Sequence, residues 1–273
     1  MLLNHIRKMS MVAGLLLAAS VGPCAAQQAP QLHGAIYCIK ALPGKGQEFE
    51  RWVADEARKV IQVSLDAKRI TGWSLSRAVT PTGEETRCSH ILATFSEGAP
   101  AEPRNTLEED VKKAGLRTTA QQYLARRDSL AKLVLHERYV RYAGFGAAEK
   151  GDYWAVNFMK PRPEKHGEFH QFESRTWLPI AEEAAKGGHP RKAWSAWHLL
   201  YPSGTAGAYD DVTVDTFRDW ASVWKPQGFS KEVMEKVFPG KSQETVFSPL
   251  AGLRELVRRE LYLIVESARA GGQ

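Results

Sequence analysis

Residues 36–52, IYCIKALPGKGQEFERW, and residues 156–172, VNFMKPRPEKHGEFHQF, are two versions of one segment. Lys40, Pro43, Lys45, Glu48 and Phe49 in the first stand where Lys160, Pro163, Lys165, Glu168 and Phe169 stand in the second, at a spacing of 120 residues. The correspondence continues in order along the chain. Trp73-Ser74, Pro81 and Gly83 meet Trp194-Ser195, Pro202 and Gly204 at a spacing of 121, and Leu130, Leu133, Val134, Glu137 and Tyr139 meet Leu253, Leu256, Val257, Glu260 and Tyr262 at 123. Three blocks in one order, drifting by one or two residues, point to a tandem duplication. A repeat of that size decides the architecture before any single element is assigned.

Each copy predicts the same order of elements. Residues 35–42 and 153–160 are rich in β-formers and end at a proline-containing turn, which suits a first strand. Residues 44–67 and 163–186 carry Phe49, Trp52, Val53 and Val60, and Phe169, Phe172, Trp177 and Ile180, at helical spacing. Second strands are expected at 70–79 and 191–201, with third strands at 88–96 and 210–217 after PTG and PSG turns. Long helical regions at 105–133 and 215–256, the latter broken near Pro226, Pro239 and Pro249, lead to fourth strands at 135–142 and 258–265. The order βαββαβ is the ferredoxin-like split βαβ unit, present twice.

With that topology and the repeated K-x-x-P-x-K, W-S and E-x-Y elements, the chain resembles the dimeric α/β-barrel superfamily and tandem-duplicated exported proteins of the same pattern. The resemblance spans nearly all of residues 33–267. It implies an α+β fold in which ferredoxin-like repeats at 33–145 and 151–267 close one intramolecular α/β barrel, so that a homodimer is possible but not required.

Composition narrows the class of partner. The chain has 273 residues, 43% hydrophobic and 25% charged, with a net charge of +6. Those values exclude a disordered, collagenous or polytopic membrane protein. Its cations are interleaved with acids (Glu48, Glu50, Arg51; Glu182, Glu183, Lys186), so no nucleic-acid or membrane-surface partner is expected. Residues 1–26 read as a signal peptide: basic Arg7 and Lys8, an apolar run at 11–22 too short to span a bilayer, and Cys24-Ala25-Ala26 before Gln27. Pro23 sits where a lipobox wants a small residue. A periplasmic or secreted protein is therefore expected. Cys38 and Cys88 could pair there, but two cysteines are no disulfide framework, and two small buried residues are the expected reading.

Side chains alternate along a strand, so one face of each meets the helices and the other the barrel interior. In the fourth strands Val140, Leu261, Leu263 and Val265 suit the helices, which leaves Glu137, Tyr139, Arg141, Glu260, Tyr262 and Ile264 for the interior. The polar series of the third strands, His90 and Thr94, and Asp211, Thr213 and Asp215, is also expected inside. Tyr37 and Asn157 occupy equivalent places in the first strands. In the second strands Trp73, Arg77, Trp194 and His198 share one face and Ser195 and Trp197 the other, with the inward face undecided.

These residues carry the functional expectation of a small-molecule ligand in a polar cavity. Glu137, Tyr139, Glu260 and Tyr262 are the candidates for chemistry, since a desolvated carboxyl beside a phenol has a raised pKa suited to acid/base work. Tyr37, His90, Asn157, Trp194, His198, Asp211 and Asp215 are the candidates for ligand binding. The competing reading is a hydrogen-bond network across a barrel seam. His166 and His170, four apart on a predicted helix with Glu173 beyond, have metal-ligand spacing but no third-ligand motif, and read as a solvated helix face. No dinucleotide fingerprint, Walker loop or nucleophile elbow occurs, and no metal or cofactor is expected. Two alternatives stand beside simple binding. One is a cofactor-independent isomerase or monooxygenase, as the superfamily suggests; the other is haem binding through His170 or His198.

Overall fold

In a computed structural model, residues 31–83, 86–98, 106–204 and 207–271 are described; the signal-peptide reading of residues 1–26 lies outside them. The first half runs β1 (Leu32–Ala41), α1, β2 (Gly72–Thr80), β3 (His90–Glu97), α2 (Leu107–Lys113), α3 (Ala120–Asp128) and β4 (Ala131–Phe145). Helix α1 comprises Gly46–Trp52, a π-helical turn Val53–Ala57 and Arg58–Asp66. The second half runs β5 (Tyr153–Pro161), α4, β6 (Arg191–Tyr201), β7 (Asp211–Phe217), α5 (Trp220–Val223), α6 (Lys231–Val237), α7 (Gln243–Phe247), α8 (Leu250–Leu253) and β8 (Arg254–Arg269). Helix α4 is built like α1, as His166–Phe172, a π-helical turn Glu173–Trp177 and Leu178–Lys186.

Eight strands close a barrel in the order β1-β3-β2-β8-β5-β7-β6-β4. All neighbours are antiparallel. Each half thus contributes four consecutive strands, β4-β1-β3-β2 and β8-β5-β7-β6, and the two sets join at β2–β8 and β4–β6. Closure leaves no sheet edge open. It also explains why β4 and β8, with 15 and 16 residues, outrun the expected strands: each pairs within its own half and across the seam.

The seam between β4 and β6 depends on close backbone approach. A Cβ on Gly144 (φ +150°) would lie 2.8 Å from the Trp194 carbonyl oxygen, and one on Gly146 (φ +69°) would lie 2.6 Å from Ala193 Cβ. Only glycine fits both the conformation and the space.

Residues that repeat along the chain repeat their structural tasks. The Lys40 ammonium donates to the Gly83 and Thr86 carbonyls, tying β1 to the β2–β3 loop. Lys160 donates to the Gly207 carbonyl at 2.9 Å in the corresponding loop. Lys45 pairs with Glu48 and Lys165 with Glu168, each at 2.7 Å. Trp73 and Trp194 are each 2% exposed, on the outer face of the barrel beneath the helices. Phe49, Trp52, Val53, Val60 and Leu65 give α1 its buried stripe.

Two expectations are corrected. The long helical regions are short helices instead. Gly115 (φ +71°) separates α2 from α3, which restarts on a Thr119–Gln122 capping box. Asp219, Ser230 and Ser242 cap fresh starts at α5, α6 and α7, between the prolines that interrupt the region. Cys38 and Cys88 form a disulfide rather than two buried thiols. Cys88 lies two residues before β3, whose pairing of Ile39 with His90 and Cys38 with Ile91 brings the two Cα atoms to 5.1 Å, within bridging range. Among the described residues no helix is long and apolar enough to cross a membrane.

Candidate ligand cavity and the residues around it

The barrel interior holds a cavity of about 660 Å³ that opens to solvent, well within the range of small-molecule sites. Its walls are largely aromatic and aliphatic, with Phe95, Trp154, Trp197, Ile36, Val212 and Val214 among them. Gly34 gives Trp197 its room: a Cβ there would approach the indole to 3.2 Å.

At one end lies a layer of carboxylates and phenols. Glu137 accepts hydrogen bonds from Tyr139 Oη at 2.9 Å and Tyr209 Oη at 2.6 Å. Glu260 accepts from Tyr262 Oη at 2.6 Å and Arg258 Nε at 2.9 Å, with the Arg258 guanidinium 3.9 Å from the Phe158 ring centre. Burial first, then the neighbouring carboxylates, pushes the Tyr209 phenol up to about 12 and raises Tyr139 and Tyr262 well above the ordinary tyrosine value. All three remain neutral hydrogen-bond donors across the physiological range.

Arg141, four residues along β4 from Glu137 and so roughly 13 Å away, lines the opposite part of the cavity with Arg269 and Glu97. Burial and the charge of Arg269 both depress the Arg141 pKa, and it forms no ion pair among the described residues. An unpaired cation facing an aromatic space is a ready partner for an anionic group.

The structure therefore puts Glu137, Tyr139, Glu260 and Tyr262 together on the inner face. The expected ligand-binding residues go elsewhere. In the third strands the inner series is Ile91, Ala93 and Phe95, and Val212 and Val214, whereas His90, Asp211, Thr213 and Asp215 face the helices. Trp194 borders the cavity but packs its ring outward against Trp177, and His198 faces outward, leaving Ser195 and Trp197 inside. The polar series lies outward because the covering helices and flanking strands supply its partners.

Asn157 donates to Asp215 at 2.9 Å and to Thr213 Oγ1 at 3.1 Å, and accepts from Arg259. Arg191 donates to Asp215 at 2.5 Å under α4, where Trp177 lies 5.3 Å from its guanidinium carbon. Tyr37 stacks on His136 at 4.4 Å on the outer face. His90 meets Glu50 of α1 at 3.0 Å, and Arg77 meets the same carboxylate at 3.1 Å.

His198 and Asp211 join a second cluster, and with them His166 and His170, whose solvated-face reading is corrected. Both imidazoles turn inward to Asp211: His166 Nε2 lies 3.0 Å from Oδ2 and His170 Nε2 lies 2.7 Å from Oδ1. Burial opposes ionisation of Asp211, but the hydrogen bonds from His166 and His170, with the His198 imidazole close by, hold its carboxyl far below the usual range. Glu173 is buried in the π-helical turn, where burial pushes it up to about 8 against the charge of Arg254. It stands apart from this four-residue cluster.

Tyr209 had no signal in strand alternation, since it lies in the loop before β7. The repeat could have found it. At a spacing of 121 it corresponds to Cys88, and Phe158 corresponds to Cys38 at 120, so the disulfide of one half is replaced by a Phe158–Tyr209 edge contact at 4.8 Å in the other.

No protein-family model and no curated protein matches the chain. Solved structures do match. A proposed monooxygenase from Fusobacterium nucleatum subsp. nucleatum ATCC 25586 superposes with a TM-score of 0.54 at 8% identity, over 90% of this chain and 97% of that one. A proposed monooxygenase from Lactobacillus acidophilus NCFM gives a TM-score of 0.51 at 7% identity, over 89% and 97%. At such identities the likeness is one of fold alone, an eight-stranded antiparallel barrel with α-helices.

Proposed function

We propose that the protein is an exported small-molecule-binding barrel made of two ferredoxin-like units from a tandem duplication. Its ligand is an aromatic or polycyclic molecule bearing an acidic group. The carrying observation is the mostly apolar cavity inside the barrel, with Arg141 outside any ion pair among the described residues near one end and the Glu137–Tyr139–Tyr209 clasp at the other. Aromatic walls supply area, Arg141 neutralises the acid, and the clasp fixes orientation by hydrogen bonding. The matching order of elements and the matching tasks of Lys40/Lys160 and Trp73/Trp194 support duplication. The Cys38–Cys88 bridge suits an oxidising compartment and so supports export to the periplasm or medium.

A cofactor-independent enzyme, of isomerase or monooxygenase type, is the second reading. It is favoured by two carboxylates that end beside neutral phenols at the cavity, an arrangement able to pass a proton to or from a bound molecule. The two neighbours proposed as monooxygenases agree with that reading at the level of fold.

Titration with anilinonaphthalene sulfonate, an aromatic sulfonate, tests the binding site. The folded chain is expected to bind one probe molecule, Arg141→Gln to bind it about tenfold more weakly, and Val214→Trp, which fills the cavity, to bind none. Equal binding by all three folded proteins would place the ligand site elsewhere. For the second reading, Glu137→Gln is expected to abolish turnover while leaving probe affinity within threefold.

A further inference from the structure

We propose that His166, His170, His198 and Asp211 form a mononuclear site for a divalent first-row transition ion. The site lies outside the barrel, between α4 and the β6–β7 pair, and is independent of the interior cavity. Each of the four residues offers a ligand atom, and all four atoms lie within 4.8 Å of one another. Metal–ligand bonds of about 2.0–2.2 Å place neighbouring ligand atoms roughly 3–3.5 Å apart. The contacts to Asp211 lie close to that range, at 2.7, 3.0 and 3.4 Å from His170, His166 and His198, and small side-chain adjustments bring the set onto one ion.

Local structure brings the donors together. His166 and His170 are one helical turn apart in α4, on one face. His198 and Asp211 are direct register partners across β6 and β7. The sequence reading sought a further ligand by local motif, whereas the third and fourth donors come from strands 28 and 41 residues beyond His170.

Three observations favour an ion over a simple ion-pair cluster. First, the imidazoles outnumber what the carboxylate binds. His198 Nδ1 is buried and makes no hydrogen bond, although Asp211 is only 3.4 Å away. An unpaired buried nitrogen is costly unless something else occupies its lone pair.

Second, the first half is an internal control. At the same places it carries Gly46, Glu50, Arg77 and His90, where Glu50 takes both Arg77 and His90 in ordinary ion pairs. The fold is therefore satisfied by a salt-bridged set containing an arginine, which does not ligate metals. In the second half an imidazole replaces each of Gly46, Glu50 and Arg77, and a carboxylate replaces His90.

Third, the surroundings hold the donors. Tyr142 stacks on His170 at 3.9 Å, and its buried hydroxyl has no partner.

Imidazole and carboxylate donors suit zinc, cobalt, nickel, copper or iron rather than calcium or magnesium. Ring centres of 4.1 Å (His166–His170) and 4.6 Å (His166–His198) leave no slot for a porphyrin between the rings. Asp211 is fully buried while the His166 side chain is 41% exposed, so the carboxylate forms the floor and the ion arrives from the solvent side.

The test is Co²⁺ titration of the untagged, chelator-stripped full chain, followed by visible absorption and calorimetry. The expected result is one ion per chain with ligand-field bands. Affinity should fall at least 100-fold in His170→Ala and in Asp211→Asn, and at least tenfold in His198→Gln. Glu50→Gln and Val214→Trp should retain wild-type affinity. His198→Gln keeps the question open to measurement if His170→Ala or Asp211→Asn fails to fold, since His198 is partly exposed on a strand. Absence of a one-to-one Co²⁺ spectrum, or affinity unchanged in folded His198→Gln, would overturn the site. So would a Soret band on haemin titration that depends on His170.

Discussion

Glu137 shows how far the chemistry of one side chain is set by its neighbours. Buried on the inner face of β4, it is the acceptor for two buried phenols. Glu137→Ala would remove the carboxylate that both hydroxyls donate to, and urea unfolding should show a loss of about 2–4 kcal/mol. Glu137→Gln keeps an acceptor oxygen and should lose about half of that or less.

Alkaline titration should register the same layer. The pKa of Tyr209 is raised in the folded chain to about 12, so its contribution to stability is complete below the ordinary tyrosine value and is lost as pH rises through about 12. Tyrosinate absorbance should show the buried phenols ionising only as the barrel unfolds. Ionisation of all eight tyrosines near the ordinary value in the folded chain would contradict the clasp.

Acid acts through another residue. Burial raises the Glu50 carboxyl, but the hydrogen bond with His90 and the charge of Arg77 bring it below the usual range. Its stabilisation is therefore present above the ordinary carboxylate value and disappears as pH falls through the depressed one. Glu50→Gln should flatten the acid limb of the stability–pH curve, measured by urea unfolding.

The inward facing of Glu137 and Tyr139 was legible through the equivalent strand β8, where the series opposite Glu260 and Tyr262, Leu261, Leu263 and Val265, is apolar. The same logic failed for His90, Asp211 and Asp215. Both faces of this barrel are covered, so polarity marks two faces without saying which is inside. Partners from helices about 40 residues away, for His90 and Asp211, and from flanking strands, for Asp215, decide it.

Among elements, the strands were largely legible and the connecting helices were not. The first and second strands of each half lie within about three residues of their expected bounds, because β-formers end there at prolines and glycines. The segments before β4 and β8 keep helical composition, yet Gly115, Pro226, Pro239 and Pro249 cut them into pieces too short to stand without packing.

Two predictions belong to this scale. Replacing Cys38 and Cys88 together by serine frees a connection of 50 residues, which should cost about 4 kcal/mol on chain-entropy grounds. Chemical unfolding of the double variant against wild type measures it. Gly146→Ala should destabilise by at least about 1–3 kcal/mol through its positive φ alone, and further through its clash with Ala193. A thermal-melt shift smaller than that of an exposed-loop glycine such as Gly83→Ala would show that the β4–β6 seam is looser than the geometry requires.

At the scale of the molecule, each half leaves two strands that only the other half can complete. Residues 33–145 alone would expose the outer edge of β2, which pairs with β8, and of β4, which pairs with β6. Sedimentation equilibrium should find this fragment associated or unfolded. A well-ordered monomer would contradict a shared barrel.

The duplicated pattern made this architecture readable. The ligand was not readable, since the cavity depends on which face each strand turns inward and on Tyr209 from a loop.

If the barrel interior holds a small organic molecule, as proposed, native mass spectrometry of the untagged protein, purified from its own host without denaturation and treated with chelator to remove metal adducts, should find a polypeptide beginning at Gln27 with a stoichiometric small-molecule excess mass that Val214→Trp eliminates. A bare polypeptide mass, or an excess that persists unchanged in folded Val214→Trp, would contradict it.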